Sequence, residues 1–279
     1  MKIIAESRIQ DSVAKLCVKA NLFLRPDVVS ALKSALKKER AAIARQVLKA
    51  IIANASIAAR EKLAICQDTG MPVVFVEIGS GVRIKGDLKA AINRGVEVGY
   101  RRGYLRNSII SDPLCRGKSG YGPAVIHIDT AGGGRLKLTV LPKGFGCENK
   151  SLLKMFNPTA GEEEIKQFIV QAVKNAGPDA CPPYIVGVGI GGTADYACLL
   201  AKKALLRPLS LPAGRQALYA ELESELLNKI NKLNIGPMGL GGKTTALAVQ
   251  VETYPTHIAG LPVAINISCH ALRSATAVL

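Results

Sequence analysis

The sequence predicts a mixed α+β protein of the α/β class, with a helical N-terminal segment followed by a mixed sheet with surrounding helices. Three observations carry that expectation. Apolar residues return every three or four positions through the first sixty residues. After Cys66, short apolar runs bounded by glycine and proline take over. The two patterns then interleave without regular βαβ alternation, which argues for a mixed sheet. With 279 residues, 48% of them hydrophobic, the chain can bury a substantial core. One domain is expected, with a helical segment over 1–62 and an α/β core over 63–279.

Taken in order, SRIQDSVAKLCVKANLFL and RPDVVSALKSALKKERAAIARQVLKAIIANA read as helical, with Pro26 and Asp27 suited to a first turn. Lys37, Lys38, Arg40 and Arg45 are expected on a solvated helix face. MPVVFVEIG and GVRIKG read as strands, and DLKAAINRGVEVGYRRGYL as a helix with Arg106 just past its end. GPAVIHIDTAGGGRLKLTVLPKG is expected to form a β-hairpin around its glycines. Two helices divided by Pro158 are expected between Lys150 and Ala176. PYIVGVGIGG reads as a buried strand and TADYACLLAKKALL as a helix. RPLSLPAGRQAL, with two prolines and a glycine, is expected as a surface loop feeding the helix YAELESELLNKINKL. KTTALAVQVE and LPVAINIS complete the strands.

No uninterrupted apolar run reaches the roughly 18 residues of a membrane span, and MKIIAESRIQDSV lacks the apolar stretch of a secretory signal. A cytoplasmic protein without a membrane partner is expected. The net charge of +16, from 37 Lys+Arg against 21 Asp+Glu, creates a field that draws anions. Nucleic acid is one candidate, disfavoured because only 4% of residues are aromatic and Trp is absent, so stacking platforms are scarce. A small acidic substrate and a negatively charged partner subunit are the others.

Glycine-rich loops can cradle anions or only turn the chain. GLGGKTT looks like a P-loop, but that motif needs glycine at position 237, which is Pro. GVGIGG looks like a dinucleotide fingerprint, yet its first glycines fall inside the expected strand and no acidic residue follows about twenty positions later. The seven cysteines are scattered and never form CxxC, so neither a disulfide framework nor a zinc finger is indicated. Cys66 in ICQDTG, Cys181 in ACPPY and Cys269 in ISCHA each stand where a strand meets a polar or Pro/Gly segment. Three such thiolates can ligate zinc, an iron–sulfur cluster or nothing. Cys17 and Cys198 are expected as core filler, and Cys115 and Cys147 as loop thiols.

Six motifs taken together resemble a known family: CQDTG (66–70), RNSIISDPL (106–114), PKGFGCENKS (142–151), CPPYIVGVGIGGTAD (181–195), GPMGLGGKTTALAVQVE (236–252) and HIAGLPVAINISCH (257–270). In this order the chain resembles the alpha subunit of class I, iron–sulfur fumarate hydratases and their L(+)-tartrate dehydratase relatives, from about residue 5 to its end. The resemblance implies a 4Fe-4S cluster held by Cys66, Cys181 and Cys269. It implies active-site places for Asp68 and His257, with proton transfer by Asp68 added here as an inference. Gln67, Arg106, Gly144 and Gly146 become the substrate-binding candidates, Arg106 as a carboxylate clamp and the glycines through their N–H groups. It also implies a separate beta subunit, a heteromeric assembly and a small dicarboxylate substrate. Cys147 departs from the family, which more often has Ser there, and is expected to be a tolerated small residue. The segment LSLPAGRQ is a second departure. The expected reaction is reversible hydration of fumarate to (S)-malate, with L(+)-tartrate dehydration as the alternative and a basic nucleic-acid-binding protein as the alternative of another class.

Overall fold

The computed structural model describes residues 1–209 and 217–279. β1 (Lys2–Ala5) leads into α1 (Glu6–Leu22), α2 (Pro26–Lys38) and α3 (Ala42–Glu61). β2 (Met71–Gly79), β3 (Val82–Lys85), α4 (Leu88–Arg102), β4 (Ile109–Asp112), β5 (Arg116–Gly120), β6 (Val125–Ala131), β7 (Leu136–Lys143) and the single turn α5 (Phe145–Glu148) follow. The remainder is β8 (Leu152–Phe156), α6 (Glu162–Ala176), β9 (Tyr184–Gly192), α7 (Ala194–Ala204), α8 (Ala217–Asn231), β10 (Ala246–Thr256), β11 (Leu261–Ser268) and β12 (Ala275–Val278). The mixed α+β class is as expected. Two compact units are distinguished: Met1–Leu24, Ala55–Phe145 and Arg273–Leu279 form the first, and Arg25–Asn54 with Gly146–Leu272 the second.

The first unit is built on a four-stranded sheet in the order β12-β7-β2-β6. α1 packs on β7 and β12 and against α4. That helix pair closes tightly because α4 carries glycine where it crosses α1: a Cβ at Gly95 would meet the Gln10 carbonyl at 2.6 Å, and one at Gly99 the Ala14 carbonyl at 2.6 Å. Asp87 caps α4 by accepting the Ala90 N–H at 2.9 Å. Ile9, Val13, Ile92, Val96, Leu138 and Val140 lie within one core. β6 and β7 do not form the expected hairpin. β2 lies between them, parallel to β6 and antiparallel to β7, so the glycine-rich turn spans a strand instead of joining neighbours.

The second unit has its own four-stranded sheet, ordered β10-β9-β11-β8. β9 runs parallel to β10 and antiparallel to β11. α7 packs on β9, β10 and β11, while α8 packs on β10. Val173, Tyr184, Val186, Leu226, Val249 and Ile265 belong to its core. Here too the sequence misled: the first helix expected after Lys150 is the strand β8, paired along β11 from Leu152↔Ile265 to Phe156↔Leu261. LLKMF has no local feature that marks a strand, and its register comes from a partner about a hundred residues later. Of the expected loop after α7, residues 210–216 lie outside the described residues.

Lys37, Lys38 and Arg40 are exposed, as a solvated helix face requires. Arg45 has another role, donating to the Leu36 and Glu39 carbonyls at 2.8 and 2.9 Å and so satisfying the end of α2. By length and composition alone, α3 is long and apolar enough to cross a membrane, although no uninterrupted apolar run is present and it carries Arg45 and Lys49.

Candidate functional site

In the first unit, the CQDTG segment bridges α3 and β2 and is pinned at its Asp68, Thr69 and Gly70 peptides. Ile65 is buried and its N–H donates to the Asn21 carbonyl at 2.9 Å. Cys66 is half-buried, Gln67 exposed and Asp68 half-buried. Asp68 accepts the Gly70 N–H at Oδ1, 2.9 Å, and the Phe145 N–H at Oδ2, 2.8 Å. The buried Tyr100 hydroxyl lies 3.0 Å from the carbonyls of both Thr69 and Gly70. Thr69 Oγ1 accepts the Arg106 N–H at 3.1 Å, which fixes the backbone of Arg106 while its side chain stays exposed. Gly70 has φ +75°, and a Cβ there would stand 2.8 Å from the Lys143 nitrogen, so β2 starts hard against the end of β7. A Cβ on Gly144 would meet Asp68 Oδ2 at 3.3 Å. The structure therefore brings Asp68, Arg106 and Gly144 to one turn, beside Cys66 and Gln67.

Two residues at this turn escaped the sequence reading. Arg273 is buried and its Nη2 donates to the Asp68 carbonyl. Lys143, the last residue of β7, is buried as well. Neither carries a local sequence signal, because their place follows from strand pairing.

In the second unit, Cys181 and Cys269 share one end of the sheet. β9 and β11 are antiparallel with Ile185 opposite Ser268, so the approach to β9 lies beside the exit from β11. Both cysteines are half-buried. Cys181 has φ +56°, a conformation uncommon outside glycine. His270, also missed in the sequence, ties the two segments together: its N–H donates to the Cys181 carbonyl at 3.4 Å, and its Nδ1 stands 3.1 Å from the same oxygen. Cys147 is buried and its thiol donates to the carbonyl of Ala180 at 3.4 Å, so it packs as a small polar residue beside the Cys181 turn. Gly146 is exposed in α5. Glu148, two residues on, pairs with Lys202 of α7 and accepts the Asn266 amide at 3.0 Å.

His257 stands elsewhere. It lies in the exposed turn between β10 and β11, where its Nδ1 accepts the Ala259 N–H at 3.2 Å. β11 separates that turn from Cys269, and its eight residues span about 26 Å at strand rise.

The other cysteines divide. Cys17 is core, as expected, and burial pushes its thiol up to about 12. Cys115 is exposed in the turn between β4 and β5. Cys198 is exposed, against expectation: α7 buries Ala197, Leu200, Ala201 and Ala204, and Cys198 is turned away from that stripe. No cysteine forms a disulfide. Among the described residues no group of three or more His, Cys, Asp and Glu side chains is assembled that could hold a metal ion. The donor chemistry nevertheless suits an iron–sulfur group, since Cys66, Cys181 and Cys269 are half-buried thiols at strand approaches. Cys66 belongs to the first unit, Cys181 and Cys269 to the second.

The glycine loop that resembles a P-loop is closed to phosphate. Its amides are occupied from within the second unit: Lys243 N–H donates to Glu39 Oε2 at 2.7 Å, Gly242 N–H to Asn234 Oδ1 at 3.2 Å, and Gly241 N–H to the Ile235 carbonyl at 2.8 Å. A buried carboxylate thus sits on an amide that a phosphate cradle would need free.

The doubly held carboxylate leads to a stability prediction. Asp68→Asn retains one acceptor oxygen and turns an NH2 donor toward the other backbone N–H, so one of Gly70 and Phe145 loses its partner. A loss of about 1–2 kcal/mol is expected for this half-buried site, read as a lower urea midpoint at unchanged slope.

A family model described as fumarate hydratase (Fumerase) matches residues 10–278. A protein of Methanocaldococcus jannaschii, provisionally named L(+)-tartrate dehydratase subunit alpha, is 44% identical over 276 residues, covering 96% of each chain. The L(+)-tartrate dehydratase subunit alpha of Escherichia coli (strain K12) is 30% identical over 277 residues, covering 98% of this chain and 91% of its own. The corresponding protein of Escherichia coli (strain UTI89 / UPEC) has the same identity and coverage.

Proposed function

The chain belongs to the fumarate hydratase (Fumerase) family, whose members are hydro-lyases, and from that premise we propose that it is the alpha subunit of a two-subunit fumarate hydratase. The observation that carries this reading is the family match over residues 10–278, which takes in all three candidate thiols. Cys66, Cys181 and Cys269 would hold the 4Fe-4S cluster. Bound through three thiolates, such a cluster supplies a Lewis acid toward the substrate hydroxyl.

The chain's own residues do the rest. Loss of water from malate removes a proton from the carbon beside a carboxylate, and Asp68 is the group assigned to take it. Its two backbone hydrogen bonds hold the carboxylate oriented while each oxygen keeps a further lone pair. The exposed guanidinium of Arg106, on a backbone fixed by Thr69, is the clamp for a substrate carboxylate. Gln67 is exposed one residue away and is assigned a substrate hydrogen bond. Gly144 and Gly146 offer backbone N–H groups to charge that develops on the substrate. His257 has no part in this reading within one chain, because it lies at the far end of β11 from Cys269.

A second reading has specific support: the relatives named above are called L(+)-tartrate dehydratase alpha subunits. Their designation as alpha subunits also supports a beta partner. The test is co-expression with the beta subunit, anaerobic purification, and assay of fumarate, (S)-malate and L(+)-tartrate beside iron and sulfide content. Roughly four irons and four sulfides per alpha chain, with fumarate hydration by the complex and almost none by the alpha chain alone, is the expected result. Turnover of tartrate alone moves the assignment to the second reading. No turnover of any of the three by an iron-loaded complex overturns both.

A further inference from the structure

We propose that Arg273 is a positioning residue: its buried guanidinium holds the peptide of Asp68, and through it sets the direction of the Asp68 carboxylate. The inference rests on the proposed proton-transfer role of Asp68 for its catalytic consequence, but its structural half does not.

Arg273 and the CQDTG turn belong to the same unit. The arginine is only 3% exposed, and it stands two residues before β12, whose pairing with β7 runs from Ala275↔Val140 to Val278↔Lys137. Its backbone is therefore anchored to the sheet that also carries β2, the strand the CQDTG turn enters. From there Nη2 donates to the Asp68 carbonyl. Tyr100 takes the next two carbonyls, those of Thr69 and Gly70, at 3.0 Å each. Two buried side chains from different elements thus face three consecutive carbonyls of the turn, the single Tyr100 proton being shared between two of them, and the Asp68 carboxylate accepts from Gly70, a residue of that same turn, and from Phe145.

Arg273 is the less replaceable of the two holders. Its Nε is buried and, among the described residues, has no acceptor, so the guanidinium is placed there at a cost that its bond to the Asp68 carbonyl offsets. Without the Arg273 donor, the Asp68 peptide can rotate while the turns on either side stay fixed. The carboxylate then loses its aim. A displacement near 1 Å is enough to lower turnover by about a hundredfold.

Two measurements decide this, made on Arg273→Ala and Arg273→Lys. Hydrogen exchange on the full alpha chain should show faster exchange at residues 68–70 and 145, with β9, β10 and β11 unchanged. In the complex with the beta subunit, kcat should fall about a hundredfold for Arg273→Ala with KM nearly constant, and Arg273→Lys should recover part of both signals because the ammonium supplies one donor. Unchanged exchange around Asp68 in both variants overturns the proposal. So does faster exchange throughout the chain in Arg273→Lys, which would make the arginine a general structural element. If Arg273→Ala does not fold, the lysine variant alone carries both readouts. If the unaltered complex has no hydratase activity, the proposed function fails while exchange still decides the role of Arg273.

Discussion

Cys181→Ser is expected to leave the chain without the iron of the proposed cluster and to lower turnover of its complex with the proposed beta subunit by about a thousandfold or more. The magnitude follows from Lewis-acid assistance to a departing hydroxyl, which is worth several kcal/mol of barrier; about 4 kcal/mol is a factor of about a thousand. Serine is nearly isosteric and equally unbranched, so it occupies the φ +56° conformation at position 181 no worse than cysteine does. What it cannot supply is a thiolate, because a serine hydroxyl does not ionise near neutral pH. The variant therefore isolates the ligand chemistry from the fold. Cys66→Ser and Cys269→Ser should behave alike. Cys147→Ser is the control: its O–H can donate to the Ala180 carbonyl as the thiol does, and iron content should stay at the native level. Iron and sulfide analysis after anaerobic reconstitution reads all four. Full iron in Cys181→Ser would remove it from the ligand set.

These cysteines could not have been selected by spacing. Cys66, Cys181 and Cys269 are separated by stretches of about ninety to a hundred and fifteen residues, and residue types alone leave zinc, an iron–sulfur cluster or no metal as alternatives, the absence of metal being favoured. The resemblance singled them out. Part of the reason they stand where they do was nonetheless legible, since two of the strands they adjoin, β9 and β11, are buried apolar runs bounded by glycine, proline or polar residues. Local pattern also gave α1, α4, α7 and α8. It failed where a distant partner decides the outcome. The supposed hairpin of β6 and β7 is separated by β2, from some fifty residues earlier, and β8 is a strand only because β11 pairs with it. Arg273 and Tyr100 were invisible for the same reason: each is a buried polar side chain whose partner is a backbone carbonyl far away in sequence. Cys198 shows the reverse: the apolar helix is legible in the sequence, but it buries Ala197, Leu200, Ala201 and Ala204 and leaves Cys198, expected in the core, exposed.

The GVGIGG motif leads to the other large effect, and it concerns the fold instead of chemistry. Gly187 and Gly189 lie on one face of β9, alternating with the buried Val186 and Val188 on the other. α7 rests on the glycine face. A Cβ at Gly187 would fall 2.1 Å from the Ala201 carbonyl, and one at Gly189 would fall 2.1 Å from the Ala197 carbonyl and 2.7 Å from the Ala201 nitrogen. The helix answers with small residues, since Ala197 and Ala201 pack with Ala264 of β11 in a cluster of alanines. Helix and sheet backbones are therefore close enough that no side chain fits between them. A backbone carbonyl cannot swing aside as a side chain can, so α7 must move as a body and lose its packing on β9, β10 and β11 together. Gly189→Ala is expected to destabilise the chain by about 3 kcal/mol, and Gly189→Val by more than about 4 kcal/mol, enough to prevent folding of a domain of ordinary stability. Urea unfolding followed by circular dichroism measures the first, and soluble yield the second. A dinucleotide fingerprint would give another result, with loss of ligand affinity and an intact fold. An unchanged urea midpoint in Gly189→Ala would show that α7 can yield, and would return the motif to the class of unexplained glycine loops.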